Sequence, residues 1–105
     1  MNKTESIARR ILGWKLYSTG KWYDHENEVF IDEKEFQPND NLDHAMLIVK
    51  RLEHYGYQYI IKGDSEVCFN NQFHHLCGTG NTLAEAITNA AHLIADQSSP
   101  ADEWL

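Results

Sequence analysis

Apolar positions recur at helical spacing in three separate segments of the chain. In the first segment, Thr4 to Leu12, one stripe at positions i, i+1, i+4 and i+5 consists of Ile7, Ala8, Ile11 and Leu12. Gly13 follows the last apolar residue, where helices commonly end in a left-handed conformation. The pattern predicts a first helix here, after which Trp14 folds back onto the core.

The second periodic segment follows a polar connection over residues 33–41. At the end of this connection, Asp40 or Asn41 can cap the N-terminus of a helix. Gly56 can terminate that helix after Tyr55. Between these limits an apolar stripe consists of Leu42, Ala45, Met46, Val49 and Leu52, and Ile48 widens it. We predict a second helix with this stripe buried.

The third periodic segment runs from Thr82 to about Asp96 and opens with Thr-Leu-Ala-Glu. This is a capping box, in which Thr82 accepts from the amide of Glu85 and the Glu85 carboxylate reaches back. Its main apolar stripe consists of Leu83, Ile87, Ala90 and Ile94. A second flank of the helix has small residues, Ala84, Ala91 and Ala95. Such residues let another backbone approach closely, and that backbone could belong to a sheet, a helix or a second subunit.

Residues between the helices favour strands. Trp22-Tyr23 and residues 29–31 flank a polar turn over residues 24–28, which predicts one hairpin. Residues 57–62 and 66–70 flank Gly63-Asp64 and predict a second hairpin, whereas residues 71–81 are predicted as a loop. The predicted order is α-β-β-α-β-β-α, which favours an α+β fold, an α-β-α sandwich with a mainly antiparallel sheet.

Composition limits the classes of protein to consider. The 105 residues are 42% hydrophobic, which suits one domain over residues 1–96 with a short acidic tail over 97–105 that ends in Trp104-Leu105. The net charge of −7 without a basic stripe argues against direct nucleic-acid binding. No apolar run approaches the ~20 residues of a membrane span, and the N-terminus lacks an apolar signal region. We therefore expect a cytoplasmic protein, with no membrane association, in which Cys68 and Cys77 are reduced thiols.

Two local clusters invite a chemical interpretation. His74, His75 and Cys77, with Cys68 nearby, are zinc-ligand types, but their spacing matches no standard motif, and we expect a polar loop and no metal. Residues 78–82 precede a helix N-terminus, which attracts anions, although the capping box already occupies those amides. No nucleophilic triad or acid/base couple is apparent, so we expect no catalytic residue, no enzymatic activity and no cofactor.

Aromatic and basic residues are the main indication of a ligand-binding site. Aromatic rings beside Arg9, Arg10, Lys50 or Arg51 can stack a base while the cation holds a phosphate; the competing interpretation is core packing and sheet pairing. The exposed stripe of the third helix, with Asn89 and His92, is a further candidate. The predicted ligand-binding residues are Arg9, Arg10, Trp22, Tyr23, Phe73, Thr79, Asn81, Asn89 and His92.

Three motifs follow one another along the chain: Ile-Leu-Gly-Trp at 11–14, Asn-Leu-Asp-His-Ala-Met at 41–46 and Thr-Leu-Ala-Glu-Ala-Ile-Thr-Asn-Ala-Ala at 82–91. In this order they resemble the phage ABA sandwich domain, a family of small phage and prophage proteins. The resemblance covers about residues 4–96 and implies an α-β-α sandwich and a phage origin. It implies no catalytic residue, and this chain has Thr88-Asn89 where family members often have Cys-Arg.

From these features we expect a non-catalytic phage accessory protein in the host cytoplasm. By analogy with small phage proteins that sequester host signals, the first hypothesis is that it binds a small nucleotide-type defence signal. The alternative is a protein–protein interaction module, based on the alanine flank, the acidic segment 24–43 and the Trp104-Leu105 tail. Homo-oligomer formation is expected under either hypothesis.

Overall fold

The structure is a computed structural model that describes residues 2–97. Three helices and six strands alternate in the order α-β-β-β-α-β-β-β-α. The elements are α1 (Lys3–Arg10), β1 (Lys15–Leu16), β2 (Lys21–Asp24), β3 (Val29–Asp32), α2 (Leu42–His54), β4 (Gln58–Ile61), β5 (Glu66–Asn70), β6 (His75–Thr79) and α3 (Leu83–Gln97). The predicted α+β class is confirmed, with one more strand in each half than predicted.

The strands form two antiparallel sheets of three strands each. Sheet A has the order β1-β2-β3 and sheet B the order β4-β5-β6. The prediction of a loop over residues 71–81 is wrong for its second half, where β6 pairs with β5. The segment His-Leu-Cys-Gly-Thr has few of the residues that favour strands, and its pairing with β5 outweighs that weak local preference.

Side chains cap the helices largely as the sequence predicts. Asn41 Oδ1 accepts from the amide of His44 at 3.3 Å at the start of α2. At α3, Thr82 Oγ1 accepts from the amide of Glu85 at 3.1 Å, which is the first of the two bonds of the predicted capping box. After α1, Gly13 adopts a φ of 71°, in the left-handed region that glycine enters without steric cost.

Helix α3 lies against β5 and β6 and also contacts α1 and α2. Close approach to the sheet depends on Gly78, because a Cβ there would lie 2.3 Å from the backbone nitrogen of Ala90. The alanine flank predicted for a close neighbour is buried inside the chain, at Ala84, Ala91 and Ala95. The flank therefore packs against a sheet and helices of its own chain and not against a second subunit. It leaves no surface of small residues on α3 for a partner.

The two cysteines correct another expectation. We predicted reduced thiols, but Cys68 and Cys77 form a disulfide in the structure, with Cα atoms 4.0 Å apart. They are cross-strand partners in the β5–β6 register. The prediction of reduced thiols rested on the expected cytoplasmic location, and the assignment of residues 71–81 to a loop gave no reason to place Cys77 beside Cys68.

The chain folds to a radius of gyration of 12.9 Å, as expected for a compact domain of this length. Within residues 2–97, no helix combines the length and apolar composition that a membrane span requires. The predicted acidic tail with Trp104 and Leu105 lies outside the described residues, apart from Gln97.

Candidate functional site

A cleft of about 420 Å³ lies between α2 and the turn that joins β2 to β3. We refer to it as the α2 cleft. Its volume falls within the roughly 300–1,000 Å³ that is typical of small-molecule sites. Its lining residues are Leu12, Trp14, Asp24, Glu26, Asn27, Leu47, Lys50, Arg51 and His54.

One wall of the α2 cleft is basic. Lys50, Arg51 and His54 occupy positions i, i+1 and i+4 of α2, and the first and last are exposed. Arg51 is held in place because its Nη1 donates to the backbone oxygen of Leu12 at 3.0 Å. Its Nη2 forms an ion pair with Glu26, whose side chain is 67% exposed. The guanidinium is thus fixed on one side and paired with a solvent-exposed carboxylate on the other.

The opposite wall is the β2–β3 turn, and Asp24 organises it. This nearly buried carboxylate accepts from the amide of Glu26 at 3.0 Å and from the side-chain amide of Asn27 at 2.7 Å. Such bonds from an aspartate to the residues that follow it stabilise a turn. The charge of Asp24 is therefore committed to the turn, which fixes the position of Glu26 opposite Arg51.

Trp14 lines the α2 cleft with the small part of its surface that remains exposed. Its ring packs edge-on against Phe36, with centroids 4.8 Å apart, and only 4% of the residue is exposed. This confirms the prediction that Trp14 folds back onto the core. Within residues 2–97 its indole nitrogen has no hydrogen-bond partner, although buried donors normally have one.

A second pocket of about 440 Å³, between α3 and β6, contains three of the predicted ligand-binding residues: Thr79, Asn89 and His92. Polar groups of all three residues already have partners within the chain. The side-chain amide of Asn89 donates to the backbone oxygen of Thr79 at 2.7 Å and accepts from Lys3 at 2.7 Å. His92 lies 3.4 Å from a carboxylate oxygen of Asp96. These contacts give Asn89 a structural role in joining α3, β6 and α1.

The other predicted ligand-binding residues are dispersed. Arg9 lies over the buried ring of Trp22 at 5.5 Å, and Arg10 donates to the backbone oxygen of Ala95 at 3.0 Å. Tyr23 is on the opposite face of β2 from Trp22, so the two rings do not share a site. The last two lie exposed elsewhere, in the β5–β6 turn and just before α3: Phe73 and Asn81.

Sheet A carries a set of aromatic rings on its outer face. Tyr23 and Phe30 are cross-strand partners with centroids 4.9 Å apart, and Tyr17 lies 5.6 Å from Phe30. His25 packs edge-on against Tyr23 at 4.7 Å. We call this set, Tyr17, Tyr23, His25 and Phe30, the aromatic face. Tyr17 and Phe30 are 45% and 57% exposed, so the rings meet solvent.

The sequence pointed to half of the α2 cleft. Lys50 and Arg51 were identified as cations that could accompany an aromatic ring, but Trp14 was assigned only to the core and His54 was overlooked. The spacing of Lys50 and His54, four residues apart in a predicted helix, is the signal that places both on one face. The turn that completes the cleft depends on tertiary packing that the local pattern does not reveal.

Comparisons with known proteins support the fold. The model of the phage ABA sandwich domain matches residues 5–92. A crystal structure of a phage protein from Bacillus cereus aligns with a TM-score of 0.62 at 17% identity, covering 92% of this chain and 89% of that one. Comparison with curated proteins gave no match. Since the family model spans most of the chain and agrees with the three sequence motifs, the chain belongs to the phage ABA sandwich domain family.

Proposed function

We propose that this protein binds a small nucleotide-type ligand in the α2 cleft and acts, without catalysis, by sequestering a nucleotide signal of the host's defence. The observation that carries the proposal is the basic wall of Lys50, Arg51 and His54 beside the ring of Trp14. Cations that hold phosphate oxygens and a ring that contacts a base are two features by which proteins bind nucleotides.

The pairing of Arg51 with Glu26 suggests how a phosphate would enter. Arginine binds carboxylates and phosphates through the same planar set of donors. Glu26 is largely exposed and lies on a turn, so its carboxylate occupies the position on Arg51 that a ligand phosphate would take. The bond from Arg51 to the backbone of Leu12 would remain and keep the guanidinium oriented.

The α3–β6 pocket supports the proposal less well. Its lysine, Lys3, already donates to the side-chain oxygens of Asn39 and Asn89, at 3.1 and 2.7 Å. His92 has a carboxylate neighbour in Asp96, which opposes an anion. An anionic ligand would have to break several short contacts there, whereas in the α2 cleft it replaces the exposed carboxylate of Glu26 on Arg51, while the second carboxylate of the cleft, Asp24, accepts hydrogen bonds within the turn.

Isothermal titration against a panel of cyclic and ADP-ribose-derived nucleotides tests the proposal. We expect saturable binding of at least one nucleotide. Lys50→Gln and Arg51→Gln should each weaken binding about 10- to 100-fold, since a hydrogen bond to a charged group contributes about 1.5–3 kcal/mol. Glu26→Gln should tighten binding, because it removes the anion that competes for Arg51.

Lys62→Gln is the matched control, since Lys62 is an exposed cation outside the α2 cleft. Circular dichroism of each variant separates a loss of binding from a loss of fold. Absence of heat with every nucleotide of the panel, or equal weakening by Lys62→Gln and Lys50→Gln, would contradict the proposal.

The aromatic face favours a second candidate function, association with another copy of this chain. Monomeric proteins seldom expose several contacting aromatic rings without an interaction role. β3 is an outer strand of sheet A, so the rings lie beside a strand edge that pairs with no other strand among residues 2–97. This candidate retains the expected interaction role but moves it from the alanine flank, which is buried, to sheet A.

A further inference from the structure

Three side chains with metal-binding atoms meet on the β5–β6 pair, where Cys68 is buried, Cys77 is half-buried and His75 is exposed. Cys68 and Cys77 are direct cross-strand partners, and His75 precedes Cys77 by two residues on the same strand. Because side chains alternate along a strand, His75 and Cys77 share one face, whereas His74 lies before the first residue of β6. The candidate ligand atoms of Cys68, His75 and Cys77 all lie within 4.8 Å of one another.

The imidazole of His75 is oriented for coordination. Its Nδ1 is in contact with the side-chain oxygen of Asn70, which can only accept, so this contact is a hydrogen bond in the tautomer that carries the proton on Nδ1. Nε2 then holds the free lone pair, and it lies 3.4 Å from Cys77 Sγ. In protein metal sites, histidine ligands characteristically donate their second ring N–H in this way, which fixes the tautomer and the ring.

We propose that the reduced form of this protein binds Zn²⁺ through Cys68, Cys77 and His75, and that the disulfide and the metal site are alternative states of the same two cysteines. Zn–S and Zn–N bonds of about 2.3 and 2.0–2.1 Å in a tetrahedron place neighbouring ligand atoms roughly 3.5 Å apart. The separation of 3.4 Å between His75 Nε2 and Cys77 Sγ already agrees with that geometry.

The conversion from disulfide to metal site requires a dithiol reductant of the cytosolic type. The reductant transfers two electrons and two protons, the S–S bond breaks, two thiols form and the reductant becomes a disulfide. Zinc then replaces the two thiol protons, which leave to solvent, and accepts lone pairs from both sulfurs and from His75 Nε2. Such ligands are the soft and borderline donors that zinc prefers, and water completes the tetrahedron.

The site differs from the one that the sequence led us to reject. Adjacent histidines rarely face one ion, and the structure separates these two, since β6 begins at His75 and His74 lies before the strand. Cys68, which seemed a neighbour of uncertain relevance, becomes a ligand through its pairing with Cys77. The proposal is independent of the α2 cleft, because no residue of the two sites is shared.

Cobalt titration of the full chain tests the proposal, since tetrahedral Co²⁺ with thiolate ligands gives charge-transfer and d–d absorption bands. Protein reduced with a phosphine under anaerobic conditions should develop these bands up to one equivalent, and Zn²⁺ should abolish them. The oxidised protein should show none. Asn70→Ala, which removes the acceptor for Nδ1, should weaken binding about 10- to 100-fold, and His75→Gln at least as much.

His74→Gln is the matched control and should bind cobalt as the unaltered protein does. Circular dichroism follows the fold throughout, and neither histidine variant removes the cysteines. The proposal is overturned if reduced protein gives no thiolate–cobalt band, or if His75→Gln binds as tightly as His74→Gln. Reduced protein that unfolds and does not refold with cobalt would also overturn it, whereas refolding on addition of cobalt would support it.

Discussion

At the scale of single residues, Tyr59 has a ring that packs well and a buried hydroxyl without a hydrogen-bond partner among residues 2–97. The ring stacks on Phe69, its cross-strand partner, with centroids 5.6 Å apart. Burial, with a smaller contribution from the negative charge of Glu53, raises the pKa of this phenol above its usual value of 10.0. Both causes disfavour the phenolate in the folded state.

The raised pKa of Tyr59 predicts a loss of stability in alkali. A phenol whose pKa is raised by folding contributes stability that is fully present below about pH 10 and is lost as pH rises towards the folded-state pKa, because the unfolded chain releases its proton first. We expect the free energy of unfolding to decrease between about pH 9 and pH 11, and to decrease less for Tyr59→Phe than for the unaltered protein. Urea unfolding at a series of pH values measures this difference.

At neutral pH, Tyr59→Phe should be close to neutral or stabilising, since it removes a buried hydroxyl that has no partner. Tyr17→Phe provides the control, because Tyr17 is 45% exposed and should not change the alkaline loss in the same way. Parallel pH profiles for the unaltered protein and Tyr59→Phe would show that the pKa of Tyr59 is not raised.

At the scale of elements, helices could be predicted from the sequence more accurately than strands. Three apolar stripes, two side-chain caps and the glycine after α1 are local signals, and each predicted helix overlaps the observed one with ends within about two residues. β1 has two residues and β6 contains Gly78, so neither carries a local strand pattern. These strands exist because of their pairing partners, and the Cys68–Cys77 contact could not be foreseen without β6.

The contact between α3 and β6 gives a prediction for Gly78. Its backbone is not in the left-handed region, so the requirement for glycine is one of space. A Cβ would lie 2.3 Å from the nitrogen and 2.7 Å from the Cα of Ala90, and the backbone of a buried helix cannot rotate away as a side chain can. Gly78→Ala should therefore lower the free energy of unfolding by about 1–3 kcal/mol or more.

Urea denaturation followed by circular dichroism measures this loss. Thr79→Ala, at an exposed position of the same strand, is the control and should cost no more than about 1 kcal/mol. If both variants unfold at the same urea concentration, α3 does not rest on the strand as closely as the structure shows.

At the scale of the whole molecule, the two sheets have different surroundings. Sheet B is covered on one face by α3, which contacts both β5 and β6. Sheet A contributes Trp22 to the core with one face and presents the aromatic face with the other. The α2 cleft lies beside the β2–β3 turn, and the cysteines lie on β5 and β6. The proposed sites for ligand binding, metal binding and association therefore share no residue and can be tested separately.

The aromatic face predicts self-association through sheet A. A two-fold contact brings the same surface of each copy together, so that surface must complement itself. The outer face of sheet A meets this condition, because the aromatic rings share it with Lys21 and its cross-strand partner Asp32, charges of opposite sign that a second copy can match.

Light scattering should thus show a concentration-dependent dimer. Phe30→Lys should raise its dissociation constant about tenfold or more, equivalent to about 1.4 kcal/mol. Phe73→Lys, which places the same charge at a residue 77% exposed on a different turn, should leave the dimer unchanged. A monomer at every concentration, or equal effects of the two substitutions, would exclude the aromatic face as the interface.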